Sequence, residues 1–187
     1  LPPAPPRYEE LAAPLTLLAD LRGARCGSTT VIAVDGPSGS GKTDVVAALA
    51  PRLDARVLSM EDLYRGWQGL DASTPVLVGQ ILGCLAEDRT ATFRRWDWEA
   101  SAPGEPVPVE PGGVLILDGV GSGASLARTY LSGLLWLEAP EAVRKRRALQ
   151  RDGATYEPWW DVWAEQEREH FARERTREAA DLVVATA

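Results

Sequence analysis

The chain has almost no histidine and little cysteine. Its single histidine, His170, stands in a polar stretch. No Ser/His/Asp arrangement can be built from it, and no zinc-type cluster is present. Cys26 and Cys84, the two cysteines, lack metal-type spacing and read as reduced thiols of a cytoplasmic protein. Positive charge is also short: 20 Lys and Arg face 27 Asp and Glu, a formal net charge of −7. Such a chain has no long-range attraction for nucleic acid or an anionic membrane. Any anionic ligand must be held by a local cluster of positive groups. No apolar run approaches the roughly 20 residues that span a bilayer. The opening LPPAPPRYEE has neither a basic nor an apolar region and does not read as a signal peptide.

What is present suits one domain with a real core: 187 residues, 45% of them hydrophobic and 25% charged. Residues 1–7 are Pro-rich and read as extended or disordered. Residues 8–22 carry leucines at helical spacing, with Pro14 expected to delay or kink the helix. TTVIAVD (29–35), ARVLSM (55–60), GGVLILD (112–118), LLWLEA (134–139) and DLVVA (181–185) read as strands. Helices are expected over 42–53, 74–87, 140–151 and about 158–174. TATFRRWDW (90–98) reads as a strand or hairpin. Strands alternating with helices predict a parallel sheet covered on both faces, an α/β architecture without a second domain.

GPSGSGKT (36–43) fits the phosphate-loop pattern. Gly36, Gly39 and Gly41 allow close backbone approach, and successive N–H groups with a helix N-terminus surround an anion. We assign Gly36, Ser38, Gly39, Ser40, Gly41, Lys42, Thr43 and Asp44 to nucleotide binding. Lys42 reaches the outer phosphates, and the Thr43 hydroxyl suits Mg²⁺. Asp118, at the carboxyl end of a buried strand, is placed to help hold that ion, or else caps the following turn. Glu61 and Asp62 follow the second strand, where a kinase acting on an alcohol needs a carboxylate. The alternative is an N-cap or a pair of solvated loop acids. Arg144, Arg147 and Arg151 share one helix face and could close over transferring phosphate, or pair with neighbouring acids in solvent. Trp67, Trp96 and Trp98 either wall an acceptor pocket or seal helices onto the sheet, with Arg94, Arg95 and Asp97 as polar contacts.

The order of these motifs resembles the uridine kinase-like branch of P-loop kinases, which is related to nucleoside and pantothenate kinases. The stretches are GPSGSGKT, LSMEDLYRGW (58–67), FRRWDW (93–98), VLILDGVG (114–121), RKRRALQRDG (144–153) and ADLVV (180–184), spanning about residues 29–185. The resemblance implies a three-layer α/β/α P-loop NTPase fold with a parallel central sheet and a helical lid. It implies an N-terminal segment and helix over 1–28 and a kinase domain over 29–187, with the lid at about 144–175. ATP and Mg²⁺ are the implied cofactors. Glu61 would act on the acceptor hydroxyl with Asp62 beside it, although the family more often has Asp at Glu61. Tyr64, Arg95, Trp96 and Asp97 would lie near the acceptor, and Arg147 and Arg151 in the lid. The family's His-containing stretch after the aromatic-Asp segment is replaced by ASAPGEP.

The expected activity is transfer of the γ-phosphoryl group of ATP to a small-molecule hydroxyl. The rivals are a regulatory nucleotide-binding protein without an acceptor, and a nucleoside monophosphate kinase clamping its acceptor with Arg94 and Arg95. Neither nucleic acid nor membrane is expected as a partner, and homo-oligomerisation is left open.

Overall fold

The structure is a computed structural model that describes residues 8–186, without the side chains of residues 152 and 154. The Pro-rich start lies outside the described residues. Strands β1 (Thr30–Asp35), β2 (Ala55–Ser59), β5 (Val114–Asp118), β6 (Leu131–Glu138) and β7 (Leu182–Ala185) form one sheet in the order β2-β5-β1-β6-β7. Every pairing in it is parallel. Strands β3 (Ala91–Asp97) and β4 (Ala102–Val109) form a separate antiparallel hairpin.

The apolar runs explain why both faces are covered. Side chains alternate along a strand, so β1 divides itself between two cores. Val31 and Ala33 pack with Leu115 and Leu117 of β5 on one face. Ile32 and Val34 pack with Ile116, Leu135 and Leu137 on the other. Helices α1 (Ala12–Arg22) and α2 (Lys42–Leu49) cover the second face through Leu15, Val45, Val46 and Leu49. The first face is covered by α3 (Leu70–Val76), a π-helical stretch (Leu77–Leu82), α4 (Gly83–Ala86) and α6 (Trp160–Glu174). The result is the three-layer α/β/α arrangement.

Several boundaries differ from expectation for local reasons. Pro14 falls in the first turn of α1, where a missing N–H costs nothing; a 3₁₀ turn (Tyr8–Leu11) precedes it. The helix expected from residue 74 begins at Leu70 and carries Pro75 inside it. The π-helical stretch follows directly, in keeping with a proline disturbing the hydrogen-bond ladder. Helix α5 (Glu141–Tyr156) bends at Gly153, whose φ of 54° and ψ of −137° are not helical. Helix α7 (Thr176–Ala179) then leads into β7.

Candidate active site

Strand register brings the candidate groups to one end of the sheet. Ser59 of β2 is level with Asp118 of β5, which is level with Val34 of β1. The loops leaving these three strands carry the phosphate loop, Glu61 with Asp62, and the glycine-rich turn after Asp118. This is the end of an open α/β sheet at which ligands bind.

The phosphate loop is tied down from three sides. Asp35, fully buried, accepts from the Gly36 amide at 2.7 Å and from Gly121 and Gly123 at 3.1 and 2.8 Å. Burial raises its pKa, and the Gly123 and Gly36 amides oppose the rise. It therefore locks the loop to the turn after β5. Helix α5 touches the loop directly: a Cβ on Gly39, whose φ is +77°, would overlap the Arg144 carbonyl. The Arg144 guanidinium donates to the carbonyls of Ser38 and Ala139, both at 3.1 Å. From α6, Glu167 accepts from the Ser38 amide at 2.8 Å, the Ser38 hydroxyl at 2.5 Å and the Trp163 indole at 2.8 Å.

Lys42 turns back on the loop and donates to the carbonyls of Gly36 and Pro37 at 2.6 and 3.0 Å. Burial lowers its pKa, while Glu167, Asp118 and Asp35 favour its charge. The Thr43 hydroxyl lies beside the Asp118 carboxylate and favours its charged form. Burial raises the Asp118 pKa, Lys42 lowers it, and Glu61 raises it further. A hydroxyl beside a carboxylate is the kind of hard-oxygen pair that fits Mg²⁺. Ser40 is buried with its hydroxyl unpartnered among the described residues. Asp44 is exposed in the first turn of α2.

The structure separates the acidic pair. Glu61 lies 3.6 Å from Arg151 and within the electrostatic reach of Asp118. Asp62 turns the other way, 3.2 Å from Arg95, and borders an open groove with Phe93, Val107 and Leu115. Burial raises the Asp62 pKa and Arg95 opposes it.

Two expected site residues, Tyr64 and Asp97, lie elsewhere, and a third, Arg147, meets the phosphate loop only through Thr186. Tyr64 is buried, its hydroxyl given to the Val120 carbonyl at 2.8 Å and its ring edge-on to Trp163. It is core, since a tyrosine at that point can reach both the helix layer and the turn. Asp97 accepts from the Ala100 amide at 2.8 Å and so caps the hairpin turn. Arg147 donates to the Thr186 hydroxyl at 3.2 Å and carbonyl at 2.6 Å, and that hydroxyl donates in turn to the Ser40 carbonyl of the loop at 2.5 Å. Trp96 has a buried indole N–H without a partner among the described residues. Arg94 donates to the Gly104 carbonyl across the hairpin.

Asp35, Glu167 and His170 were not foreseen as parts of this arrangement. For Glu167 the signal existed: Trp160, Trp163, Glu167 and Phe171 recur at helical spacing, so the carboxylate shares the inward face with two tryptophans. His170, 1% exposed, sits 3.2 Å from Asp71. Arg173 also donates to Asp71, at 2.6 Å.

These features define a protein with the three-layer α/β/α P-loop NTPase fold. Two solved structures share that fold over nearly the whole chain. One is described as a possible uridine kinase from Bacillus stearothermophilus: TM-score 0.64, 19% identity, covering 94% of this chain and 99% of that one. The other is described as a fructose transport system kinase from a Silicibacter species: TM-score 0.64, 20% identity, 95% and 98% covered. Curated relatives match over short stretches. A tRNA dimethylallyltransferase of Chlamydia pneumoniae is 44% identical over 45 residues, 24% of this chain and 13% of that protein. A cytidylate kinase of Rhodococcus jostii is 55% identical over 38 residues, 20% and 17%. The matches thus span less than a fifth of either relative. No family model matches the chain. Among the described residues, no helix is long and apolar enough to cross a membrane.

Proposed function

We propose that the chain is an ATP-dependent phosphotransferase that moves the terminal phosphoryl group to a hydroxyl of a small molecule. The observation that carries this reading is the gathering of Lys42, Thr43, Asp118, Glu61 and Arg151 at one end of the sheet. A bare nucleotide-binding switch needs the first three groups but has no use for Glu61 facing Arg151. The kinase names of the two structural neighbours support the reading.

In this proposal the loop amides and Lys42 hold the phosphates and stabilise charge on the group in flight. Mg²⁺, when bound, would neutralise and orient phosphate oxygens, and Thr43 and Asp118 are the oxygen donors suited to it. Glu61 takes the proton of the attacking hydroxyl. Arg151 steadies the phosphoryl oxygens from the lid. Asp62, held by Arg95, orients the acceptor along the hairpin groove. The acceptor class we favour is a nucleoside or another sugar-like alcohol, and the enzyme is placed in the cytoplasm. The short cytidylate kinase match favours a monophosphate acceptor instead. Against that stands the engagement of both clamp candidates, Arg94 with Gly104 and Arg95 with Asp62.

The test is ADP release from ATP-Mg²⁺ with a panel of nucleosides, sugars, vitamin alcohols and nucleoside monophosphates, each against a no-acceptor baseline. The reading expects a large rise with one hydroxyl class. It also expects Glu61→Gln to lower kcat by about a hundredfold or more, and Asp62→Asn to act mainly on the acceptor KM. A flat panel with intact ATP binding would overturn it in favour of a switch.

A further inference from the structure

We propose that Glu167 is a specificity-determining positioning residue: its carboxylate takes loop donors that suit an outer phosphate, and a nucleoside triphosphate must displace it from Ser38. The inference rests on the phosphate-loop reading above and extends it to the lid helix.

Glu167 is 4% exposed. A buried carboxylate needs strong partners, and this one finds them on the loop itself. One oxygen collects the Ser38 amide, the Ser38 hydroxyl and the Trp163 indole. The other lies 3.9 Å from Arg144. Successive amides of a phosphate loop exist to face an anion, and here one of them already faces a side chain. Glu167 is also foremost among the acids that favour the charge on Lys42, the residue that serves the β- and γ-phosphates. The loop donors the carboxylate takes are therefore the Ser38 amide and hydroxyl, while Lys42 acts on it through charge alone and gives its hydrogen bonds to Gly36 and Pro37.

Two like charges cannot share those donors in a poorly hydrated site. A γ-phosphate arriving beside Lys42 and Ser38 repels the carboxylate and takes over its hydrogen bonds. Because Glu167 is fixed on α6, that exchange moves or loosens the helix and signals a triphosphate to the lid. A diphosphate, which lacks the outer group, leaves the latch in place. The Trp163 indole, bonded to both the Ser38 hydroxyl at 3.0 Å and Glu167, sits at the point of exchange and reports it.

The test is calorimetric binding of ATP-Mg²⁺ and ADP-Mg²⁺ to the wild-type chain and to Glu167→Gln. Glutamine keeps the shape and an accepting oxygen but not the charge. The expected result is ATP binding tightened by about tenfold, the scale of one charge-assisted hydrogen bond, with ADP changed by about twofold or less. Equal weakening of both nucleotides would make Glu167 a mere brace for the loop and overturn the proposal, as would no change. A wild-type chain that binds neither nucleotide would overturn the phosphate-loop reading itself. A second measurement stands even if the variant does not fold: in the wild type, ATP but not ADP should raise hydrogen exchange of amides 160–174. Identical exchange with both nucleotides would sink the inference.

Discussion

Lys42 carries its charge where burial opposes it. Desolvation lowers its pKa, and Glu167, Asp118 and Asp35 only partly restore it. A lysine with a lowered pKa loses its proton at a lower pH than a free one. In the free enzyme the ammonium is thus complete on the acid side and lost early as pH rises. The profile of kcat/KM for ATP should therefore have an alkaline limb below the ordinary lysine value. Bound phosphate favours the charged form, so the corresponding limb of kcat should lie at higher pH. Lys42→Arg, whose guanidinium does not titrate in this range, should remove the limb from whatever activity it retains. Lys42→Ala should reduce turnover by about a hundredfold or more, on the scale of losing a fixed charge at the transferring group. Coincident limbs in the two profiles would show that Lys42 does not meet the phosphates. Asp62 has the opposite sign: burial raises its pKa against Arg95. Its carboxylate is lost as pH falls through that raised value. The acceptor KM should rise at a pH where an ordinary carboxylate would still be ionised.

At the scale of elements, α5 shows what a sequence can reveal and what it cannot. The spacing of Arg144, Arg147 and Arg151 on one face was legible, as were the strand that ends at Asp118 and the loop at 36–43. Where each guanidinium ends was not, because the targets lie far away in sequence: Ser38, Thr186 and Glu61. The same reason hid Asp35, whose partners are the amides of Gly121 and Gly123. It also made Tyr64 look available when its hydroxyl is spent on Val120. The separation of Glu61 from Asp62 follows from a 3₁₀ turn over Met60–Asp62, which no period in the sequence announces. The arginines should accordingly divide their effects. Arg151→Ala should lower kcat with little change in melting temperature. Arg147→Ala should cost about 1 kcal/mol of stability through its lost bonds to Thr186, with a smaller effect on kcat. Equal effects on kcat would restore both to the lid. Gly39→Ala tests the seam between loop and helix. Its Cβ would meet the Arg144 carbonyl, and its φ is unsuited to alanine. The variant should melt earlier and lose ATP affinity together, because the loop cannot keep its shape with α5 in place.

Across the whole molecule, an aromatic bracket joins parts of the chain that the sheet does not. Trp67 follows β2, Trp98 ends the β3–β4 hairpin, and Tyr156 and Trp159 lie where α5 passes into α6. Trp67 packs against Trp98 at 4.9 Å and stacks on Tyr156 at 5.2 Å and Trp159 at 6.0 Å between ring centroids. The Trp98 indole donates to the Glu61 carbonyl at 3.2 Å, tying the bracket to the acidic turn. Trp98 and Trp159 each remain 37% exposed, so the outer face of the bracket is open to a ligand. Trp160 and Trp163 seal α6 onto the core, while Trp67, Trp98 and Trp159 lie together between hairpin and lid. Removing the centre of the bracket separates the two roles of the molecule. Trp67→Ala should cost about 2 kcal/mol of stability, less than a fully buried tryptophan would. It should raise the acceptor KM at least tenfold while weakening ATP by only about twofold, because the bracket meets the phosphate loop indirectly, through the edge contact of Trp67 with Trp163, whose indole bonds Ser38 and Glu167. Titration of ATP by calorimetry and of the acceptor by steady-state rate on the same variant would decide it. Loss of ATP affinity in parallel with acceptor binding would mean that hairpin, lid and phosphate loop move as one body.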